Sequence, residues 1–474
     1  MKKLLLVNTN TCKIPYPVPP LGICLIAARL KGHYDVRVYD GMFDEGQKLV
    51  PLIRSFKPDF VGFSIRNVDD VAPERITFFI DAISRDFIEP ARRNTVAPFI
   101  LGGSGYTIFP REILEYTSAD YGIAGEGEET LMSLLNKLEK GEDVSSISNV
   151  YSKTGQGSGI PVYVRNYDQM PYSLMDLKLD FTSYAKRSVY SIQTKRGCAL
   201  QCLYCPYPLI EGKLYRLRTP ASIVNEIEQA AERLGNGVTY EFVDSTFNEP
   251  KGHAEDICRE LIHRKIRVKL RTMGVNPRNT SKELFCLMIE AGFTQIDITP
   301  DSASLSMIKN LRKGFTFDDI RRTANLIKEF NLPSFWFFLF GAPGENRETF
   351  LETVSFIDDY INKDDLVNLS GGLRIYPGTP LYDIAIREGY IAATDNLLHP
   401  SVFYFSKNTP QDKLSKWIED TCKDRLNCLP SNETTPPAEM LREAVIIRSE
   451  QGITEPMFRT LLRIRREWKA SGRL

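Results

Sequence analysis

The chain has 474 residues, 42% of them hydrophobic and 25% charged, which is typical of a globular protein and too long for one ordinary domain. Lysine plus arginine and aspartate plus glutamate each total 60, so the net charge does not favour nucleic acid or an anionic membrane as a partner. The densest apolar run, Phe335 to Phe340, is far shorter than the roughly 20 residues that cross a bilayer. We therefore expect a cytoplasmic protein of two or three domains without a membrane span.

Residues 1–145 alternate short β-branched runs with helix-like stretches, the pattern of a parallel sheet with crossover helices. The predicted strands are Lys3 to Asn8, Val36 to Tyr39, Asp59 to Ser64, Phe99 to Gly102 and Tyr121 to Ala124. Glycines and polar residues follow the later strands. Ligands of an open α/β sheet bind at these carboxyl ends, so the sequence predicts a Rossmann-like, doubly wound ligand-binding domain.

A second βα alternation occupies residues 187–390, after a Ser-, Gly- and Asp-rich stretch over 146–186 that we interpret as an exposed hairpin and linker. Six strands are predicted: Tyr190 to Thr194, Thr239 to Val243, Val268 to Thr272, Gln295 to Thr299, Ser334 to Phe340 and Asn368 to Ile375. Six βα units predict a partial (β/α)6 barrel whose reactive end lies at the strand carboxyl termini. Residues 391–474 are mainly helical in pattern and form a C-terminal extension.

The strongest chemical signal is a loop of three cysteines directly after the first barrel strand. Cys198, Cys202 and Cys205 lie within eight residues, and three thiolates at this spacing can bind three irons of a four-iron cluster, leaving the fourth iron open. A zinc knuckle is an alternative, but it would want a fourth Cys or His nearby, and no histidine lies between His33 and His253. Three unrelated buried thiols are the remaining alternative.

This Cys-x3-Cys-x2-Cys loop resembles the hallmark of the radical S-adenosylmethionine (SAM) superfamily, with Tyr204 where the family places an aromatic residue. The resemblance implies an oxygen-sensitive 4Fe-4S cluster whose open iron chelates SAM. It also implies that the backbone near Tyr204 contacts the adenine and that reduction releases a 5′-deoxyadenosyl radical. An electron donor such as ferredoxin or flavodoxin is then a partner.

The ends of the later barrel strands are similar to the family's SAM-binding segments. The resemblance assigns cofactor contacts to Asp244, Ser245, Asp301, Ser302, Gly341, Glu345 and Tyr376. Asp301 departs from the family pattern, which has glutamate there. Asp244 could instead only cap the following turn, and the glycines could only form turns.

A nucleotide-type domain directly ahead of the barrel resembles the cobalamin-binding subgroup of the superfamily. The resemblance places the corrin and its tail against Ser64, Gly102, Gly103, Gly125, Glu126 and Gly127. Glycine suits such sites because the backbone can approach a bulky ligand closely; ordinary βα turns are the alternative. The Asp-x-His-x-x-Gly sequence that supplies a histidine to cobalt is absent, so we expect no protein histidine on cobalt, or else a domain that has lost its cofactor.

The resemblance implies a methyltransferase that moves a methyl group from methylcobalamin to an unactivated carbon, with a deoxyadenosyl radical generated from a second SAM. A cobalamin-dependent radical enzyme that cyclises or rearranges its substrate shares every motif. A tRNA methylthiotransferase is disfavoured because clustered cysteines are missing from the front domain. A non-catalytic cobalamin sensor would not need the SAM-binding segments. The substrate, a small molecule or a protein, is not specified by these residues.

Overall fold

Two seven-stranded sheets organise the chain. The computed structural model describes residues 1–13, 16–157, 163–169, 179, 181–187, 189–235, 237–433 and 435–473. Within these ranges, no helix is both long and apolar enough to cross a membrane.

The front sheet has the strand order β2-β1-β3-β4-β5-β6-β7, and its first five strands run parallel. The strands are β1 Lys3–Asn8, β2 Asp35–Asp40, β3 Phe60–Ser64, β4 Phe99–Gly102, β5 Tyr121–Ile123, β6 Val150–Ser152 and β7 Gly155–Gln156. The order of the parallel strands is that of a flavodoxin-like doubly wound sheet, whose topological switch point lies between β1 and β3. The predicted class of the front domain is confirmed.

Helices cover both faces of this sheet, which explains why β1 is apolar along its whole length. Leu4 and Leu6 join one hydrophobic core, whereas Leu5 and Val7 join the other. The covering helices are α1 Leu21–Leu30, α2 Leu49–Phe56, α3 Phe79–Ile83, α4 Glu89–Arg92, α5 Ser104–Ile108, α6 Pro110–Thr117 and α7 Glu128–Lys140; a π-helical turn, Ser84–Ile88, joins α3 to α4.

The stretch predicted as a hairpin and linker contributes to the front sheet. Strands β6 and β7 form a hairpin, and β6 pairs antiparallel with the edge strand β5. Val150 is buried in the core, and this burial of apolar surface stabilises the pairing of the short segment with the sheet edge. Residues 158 and 159 of the predicted hairpin lie outside the described residues.

The second sheet is an open barrel of parallel strands in the order β18-β15-β14-β13-β12-β11-β8. In the described part of the chain, the edge strands β8 and β18 do not pair, so the barrel is partial, as predicted. Its strands, with two small antiparallel pairs, are β8 Val189–Ile192, β9 Lys195–Arg196, β10 Arg216–Leu217, β11 Thr239–Phe242, β12 Lys269–Val275, β13 Phe293–Asp301, β14 Ser334–Phe340, β15 Leu366–Gly371, β16 Leu373–Arg374, β17 Phe403–Tyr404 and β18 Cys428–Pro430.

The helices of the second half pack outside the barrel and at the C-terminal end. They are α8 Phe181–Arg187, α9 Tyr207–Ile210, α10 Pro220–Leu234, α11 His253–His263, α12 Lys282–Ala291, α13 Leu305–Asn310, α14 Phe317–Phe330, α15 Arg347–Tyr360, α16 Pro380–Arg387, α17 Gln411–Asp424, α18 Ala438–Gln451 and α19 Met457–Ala470. Side-chain caps begin several of them: Thr219 caps α10, Ser281 caps α12, and Thr316 with Asp319 forms a capping box on α14.

The C-terminal extension is mainly helical, as predicted, but it also supplies a seventh barrel strand. Strand β18 pairs parallel with β15, where Val367 lies opposite Cys428. Only three residues take part, which is too short a run to show a periodic pattern in the sequence.

Candidate active site

The cysteine loop begins directly after β9 and has a backbone that only glycine can adopt at its first position. Gly197 has a φ of 88°, and a Cβ there would lie 2.0 Å from the Leu214 carbonyl oxygen. The Cys198 amide donates a hydrogen bond of 3.0 Å to the Gly212 carbonyl. The chain at 212–214 therefore supports one side of the loop.

Two more segments hold the middle of the loop. The Leu203 amide donates to the Leu311 carbonyl at 3.0 Å, and the Leu203 carbonyl accepts from the Leu381 amide at 3.0 Å. Leu203 itself is buried. The loop is therefore anchored to the chain that follows α13 and to the start of α16, which limits how far its cysteines can move.

The three cysteines are free, with Cys198 buried and Cys202 and Cys205 partly exposed. Burial raises the pKa of Cys202, and it raises the pKa of Cys205 to about 12; charge interactions among the three thiols contribute. Bare thiolates are therefore disfavoured here, and a cationic group that binds them would relieve the cost. In the described ranges, no three side chains of His, Cys, Asp or Glu lie close enough together to hold one metal ion. A four-iron cluster fits this loop better than zinc, since each thiolate binds a different iron.

Asp244, at the end of β11, supports the start of the cysteine loop. Its Oδ1 accepts the Thr194 amide at 2.8 Å, and its Oδ2 accepts the Thr194 hydroxyl at 2.6 Å and lies 3.3 Å from the Lys195 ammonium. All three groups are buried. Ser245 follows and is partly exposed. A contact of Asp244 or Ser245 with SAM stays a prediction, and the hydrogen bonds give Asp244 a positioning role.

Asp301 and Tyr204 are brought together beside the cysteines. The Tyr204 hydroxyl donates to Asp301 Oδ2 at 2.5 Å, and the Lys313 ammonium lies 2.7 Å from the same oxygen. Ser302 is turned towards α15, where its hydroxyl lies 3.1 Å from the Thr353 hydroxyl. The Asp301 carboxylate is therefore bound within the protein; its predicted contact with SAM is untested.

The remaining predicted SAM contacts lie at the ends of β14 and β16. Gly341 has a φ of 96° and its carbonyl accepts the Ser406 amide at 2.8 Å, so it makes a turn that glycine favours. Tyr376 is partly exposed, lies 5.4 Å from the Arg374 guanidinium and interacts electrostatically with Cys205. Glu345 is fully buried, and its carboxylate accepts the Thr349 hydroxyl.

Because Glu345 is buried, we expect the free energy of unfolding of the protein to depend on pH. Burial raises the pKa of Glu345 to about 7, so the folded protein binds this proton more tightly than the unfolded chain does. The associated stability is present at pH 4 and is lost as the pH rises through 7. Between pH 5 and 8 we expect the wild type to lose about 2 kcal/mol of unfolding free energy that Glu345→Gln retains. Urea unfolding at both pH values measures this loss.

The control is Glu419→Gln, at an exposed position, which should behave like the wild type. Equal losses in the wild type and Glu345→Gln would contradict the raised pKa of Glu345.

A cavity of about 490 Å³ lies at the carboxyl edge of the front sheet and extends to the barrel. Its front wall is formed at the switch point, where Asn8, Ser64 and Gly102 are register partners at the ends of β1, β3 and β4. All six residues that the sequence assigned to cobalamin line it: Ser64, Gly102, Gly103, Gly125, Glu126 and Gly127.

The opposite wall of the cavity comes from the cysteine loop and the barrel. Pro206 and Tyr207 follow Cys205 directly and line the cavity. Val243, which follows β11, and Met273, which lies within β12, also line it. One cavity therefore borders both the front-sheet edge and the cysteine loop. This is the arrangement required if two cofactors are to act on one substrate.

The glycines of the front wall serve two different purposes. A Cβ at Gly22 would meet no protein atom within 4 Å, and one at Gly102 would meet only the Ile123 carbonyl at 3.8 Å, so these positions leave space beside the cavity. A Cβ at Gly103 would lie 2.5 Å from the Ile65 carbonyl. Gly103 therefore permits close packing of two loops, whereas Gly22 and Gly102 fit a bulky planar ligand.

Glu126 lies on the cavity wall, but residues of the linker and of the barrel segment bind its carboxylate. Arg216 lies 2.8 Å from Oε1, the Tyr167 hydroxyl donates to Oε1 at 2.8 Å, and the Val164 amide donates to Oε2 at 2.6 Å. Although burial acts to raise it, the hydrogen bond from Arg216 holds the pKa of Glu126 below its usual value. Cobalamin binding by Glu126 stays a prediction; its observed contacts join the two domains.

Arg196, which directly precedes Gly197, extends this junction between the domains. Its guanidinium lies 2.6 Å from Glu128 Oε1 and 3.4 Å from Glu126 Oε1, and all three side chains are buried. Sequence reasoning assigned no role to Arg196 or to Tyr207, which lines the cavity wall. The position of Arg196 two residues before the first cysteine was the only available signal.

No histidine is among the cavity-lining residues in the part of the chain that the structure describes. His33 is exposed after α1. The absence of a histidine ligand to cobalt remains a prediction.

Comparisons with known proteins match a domain family to each of these two parts of the chain. The model of the B12 binding domain matches residues 8–135, and that of the radical SAM superfamily matches residues 192–357. An uncharacterized methyltransferase of Pyrococcus horikoshii is 25% identical over 79% of this chain and 80% of its own length. The tryptophan 2-C-methyltransferase of Streptomyces laurentii is 25% identical over 78% of this chain and 72% of its own.

A solved structure shares the whole fold. It is the radical SAM methyltransferase TsrM from Kitasatospora setae, with cobalamin and a 4Fe-4S cluster bound, which matches with a TM-score of 0.81 at 22% identity over 100% of both chains. The two domain models cover β2 to β5 of the front sheet and β11 to β14 of the barrel, and the cavity between these parts borders the cysteine loop. The chain therefore carries a B12 binding domain in front of a radical SAM domain.

Proposed function

We propose that this enzyme is a C-methyltransferase that uses a 5′-deoxyadenosyl radical to methylate an unactivated carbon of a small-molecule or protein substrate. The observation that carries the proposal is the cavity bordered by both the front-sheet edge and the cysteine loop. Relatives named as methyltransferases support it. When bound, cobalamin would supply the methyl group, and the cluster with SAM would supply the radical.

In this proposal, the chain holds the two reacting groups at a defined separation. Cys198, Cys202 and Cys205 hold the cluster, and the strand ends at Ser64 and Gly102 hold the corrin. The buried contacts of Arg196 with Glu126 and Glu128 tie the cysteine loop to the front domain. Holding the two groups at a fixed separation favours transfer of the methyl group, because they do not have to meet by diffusion.

In this proposal, apolar side chains on the cavity walls keep water from a reactive carbon. Leu6, Ile100, Ile123 and Leu131 of the front domain and Val243 of the barrel line the cavity. An apolar wall offers few polar groups that would hold solvent next to the substrate, so fewer competing reactions are expected.

Polar groups inside the barrel provide contacts for the substrate in this proposal. The Tyr16 hydroxyl, from the front domain, donates to Glu241 at 2.8 Å, and the Arg271 guanidinium lies 2.5 Å from Glu241 and 4.4 Å from the Tyr16 ring. Burial raises the pKa of nearby Asp297 to about 7. Arg271 lies two residues before Met273 of the cavity wall, on the same face of β12, so we expect these groups to favour a substrate with a polar portion.

The stoichiometry of the products tests the proposal. With reconstituted protein, dithionite, cobalamin, SAM and a substrate that accepts the methyl group, each methylated product should be accompanied by one S-adenosylhomocysteine and one 5′-deoxyadenosine, because one SAM gives the methyl group and another gives the radical. Mass spectrometry of the products measures all three compounds. A product without added mass, formed with deoxyadenosine but no homocysteine, would establish cyclisation or rearrangement instead.

We further propose that the reaction takes place in an oxygen-free cytoplasm, with a ferredoxin or flavodoxin as the electron donor. The low-potential chemistry of such clusters requires a donor of this class. The oxygen sensitivity that the resemblance implies is the reason for the anaerobic setting.

A further inference from the structure

A buried lysine lies beside the cysteine loop and has no part in the mechanism proposed above. Lys313 is 6% exposed and lies two residues after Leu311, whose carbonyl binds the Leu203 amide of the loop at 3.0 Å. Its ammonium interacts electrostatically with Cys202 and Cys205. The backbone contact holds the chain segment that carries Lys313 against the cysteine loop.

One carboxylate partly balances the Lys313 charge. The ammonium lies 2.7 Å from Asp301 Oδ2, which also accepts the Tyr204 hydroxyl at 2.5 Å, and the rings of Tyr204 and Phe315 each lie 5.9 Å from the ammonium. Asp301 has a φ of 63°, an uncommon conformation for a residue other than glycine. This backbone conformation and the contacts of Asp301 with Lys313 and Tyr204 hold the three side chains together.

A fixed charge in this position acts on any electron that enters a cluster on the cysteines. Electrostatic interactions are strong where water is excluded, and the potentials of iron–sulfur clusters depend on nearby charge and exposure. A one-electron reduction makes the cluster one unit more negative, which the Lys313 ammonium favours and the Asp301 carboxylate opposes.

We propose that the buried pair of Lys313 and Asp301 sets the reduction potential of the cluster, with Lys313 raising it and Asp301 lowering it. This inference rests on the cluster assigned to Cys198, Cys202 and Cys205. Both residues act as tuning residues through charge, and neither is a ligand of iron.

Potentiometric titration of the reconstituted protein with dithionite, followed by electron paramagnetic resonance, tests the proposal. Lys313→Met should shift the midpoint potential to a more negative value, because a positive charge is lost. Asp301→Asn should shift it to a more positive value, because the ammonium is no longer balanced. Lys313→Arg keeps the charge and should shift it least among the Lys313 variants, and Lys309→Met, at an exposed position on α13, should match the wild type.

Opposite signs for Lys313→Met and Asp301→Asn support the proposal, whereas shifts of the same sign, or no shift in either variant, overturn it. If Lys313→Met does not load iron, the Asp301→Asn titration decides alone, and any result other than a positive shift overturns the proposal. A wild-type protein that bound no iron after reconstitution would instead contradict the cluster itself. An altered SAM affinity with unchanged potentials would make Lys313 a SAM-binding residue and would also overturn the inference.

Discussion

Replacing Cys198, Cys202 and Cys205 together with alanine should reduce the iron bound after reconstitution to near zero and abolish reductive cleavage of SAM. The physical reason is that these three thiols alone lie on one anchored loop, whereas the other free cysteines are scattered through the fold. Iron analysis, the visible absorbance of the cluster and the yield of 5′-deoxyadenosine measure the effect.

The matched control for this triple variant is Cys286→Ala, because Cys286 is exposed on α12 and far in sequence from the loop. It should retain the wild-type iron content and absorbance. Cluster iron that survived the triple replacement would contradict the assignment of the cysteine loop and, with it, the proposed radical chemistry.

Replacing Arg196 with methionine should lower the free energy of unfolding by about 3–5 kcal/mol. The change removes one partner of a buried ion pair and leaves the Glu128 carboxylate, 2.6 Å from the guanidinium in the wild type, without its cation. Glu126 retains Arg216, so Glu128 bears most of the cost. Guanidinium unfolding of the apo-protein, compared with wild type at one pH, measures the loss.

The double variant Arg196→Met with Glu128→Gln tests the mechanism of this loss. It should be more stable than the single Arg196→Met variant, because the unpaired charge is removed as well. Arg85→Met breaks an exposed pair with Asp86 and should leave stability unchanged within error. Equal losses for the single and double variants would show that packing, and not charge pairing, accounts for the role of Arg196.

Features that depend on a local sequence pattern were predictable from the amino-acid sequence alone. The strands β1 and β14 have the predicted bounds, because burial favours a continuous apolar run that is visible in a few consecutive residues. The cysteine loop was predictable because ligand spacing within eight residues is also local. The six residues assigned to cobalamin share one wall because parallel strands end at the same edge of a sheet.

Contacts between residues distant in sequence were decided only by the tertiary structure. Nothing near Glu126 indicated that Arg216 would bind its carboxylate from the barrel, and nothing near Lys313 indicated Asp301 and the cysteine loop. The sequence also gave no sign that β18 would extend the barrel, because three residues show no period. Charge pairing depends on which loops meet in space, and it leaves no repeat along the chain. Local sequence pattern therefore predicts the two domains, their order and the cluster loop, whereas packing between the domains determines which charged groups surround the cavity and the cysteines.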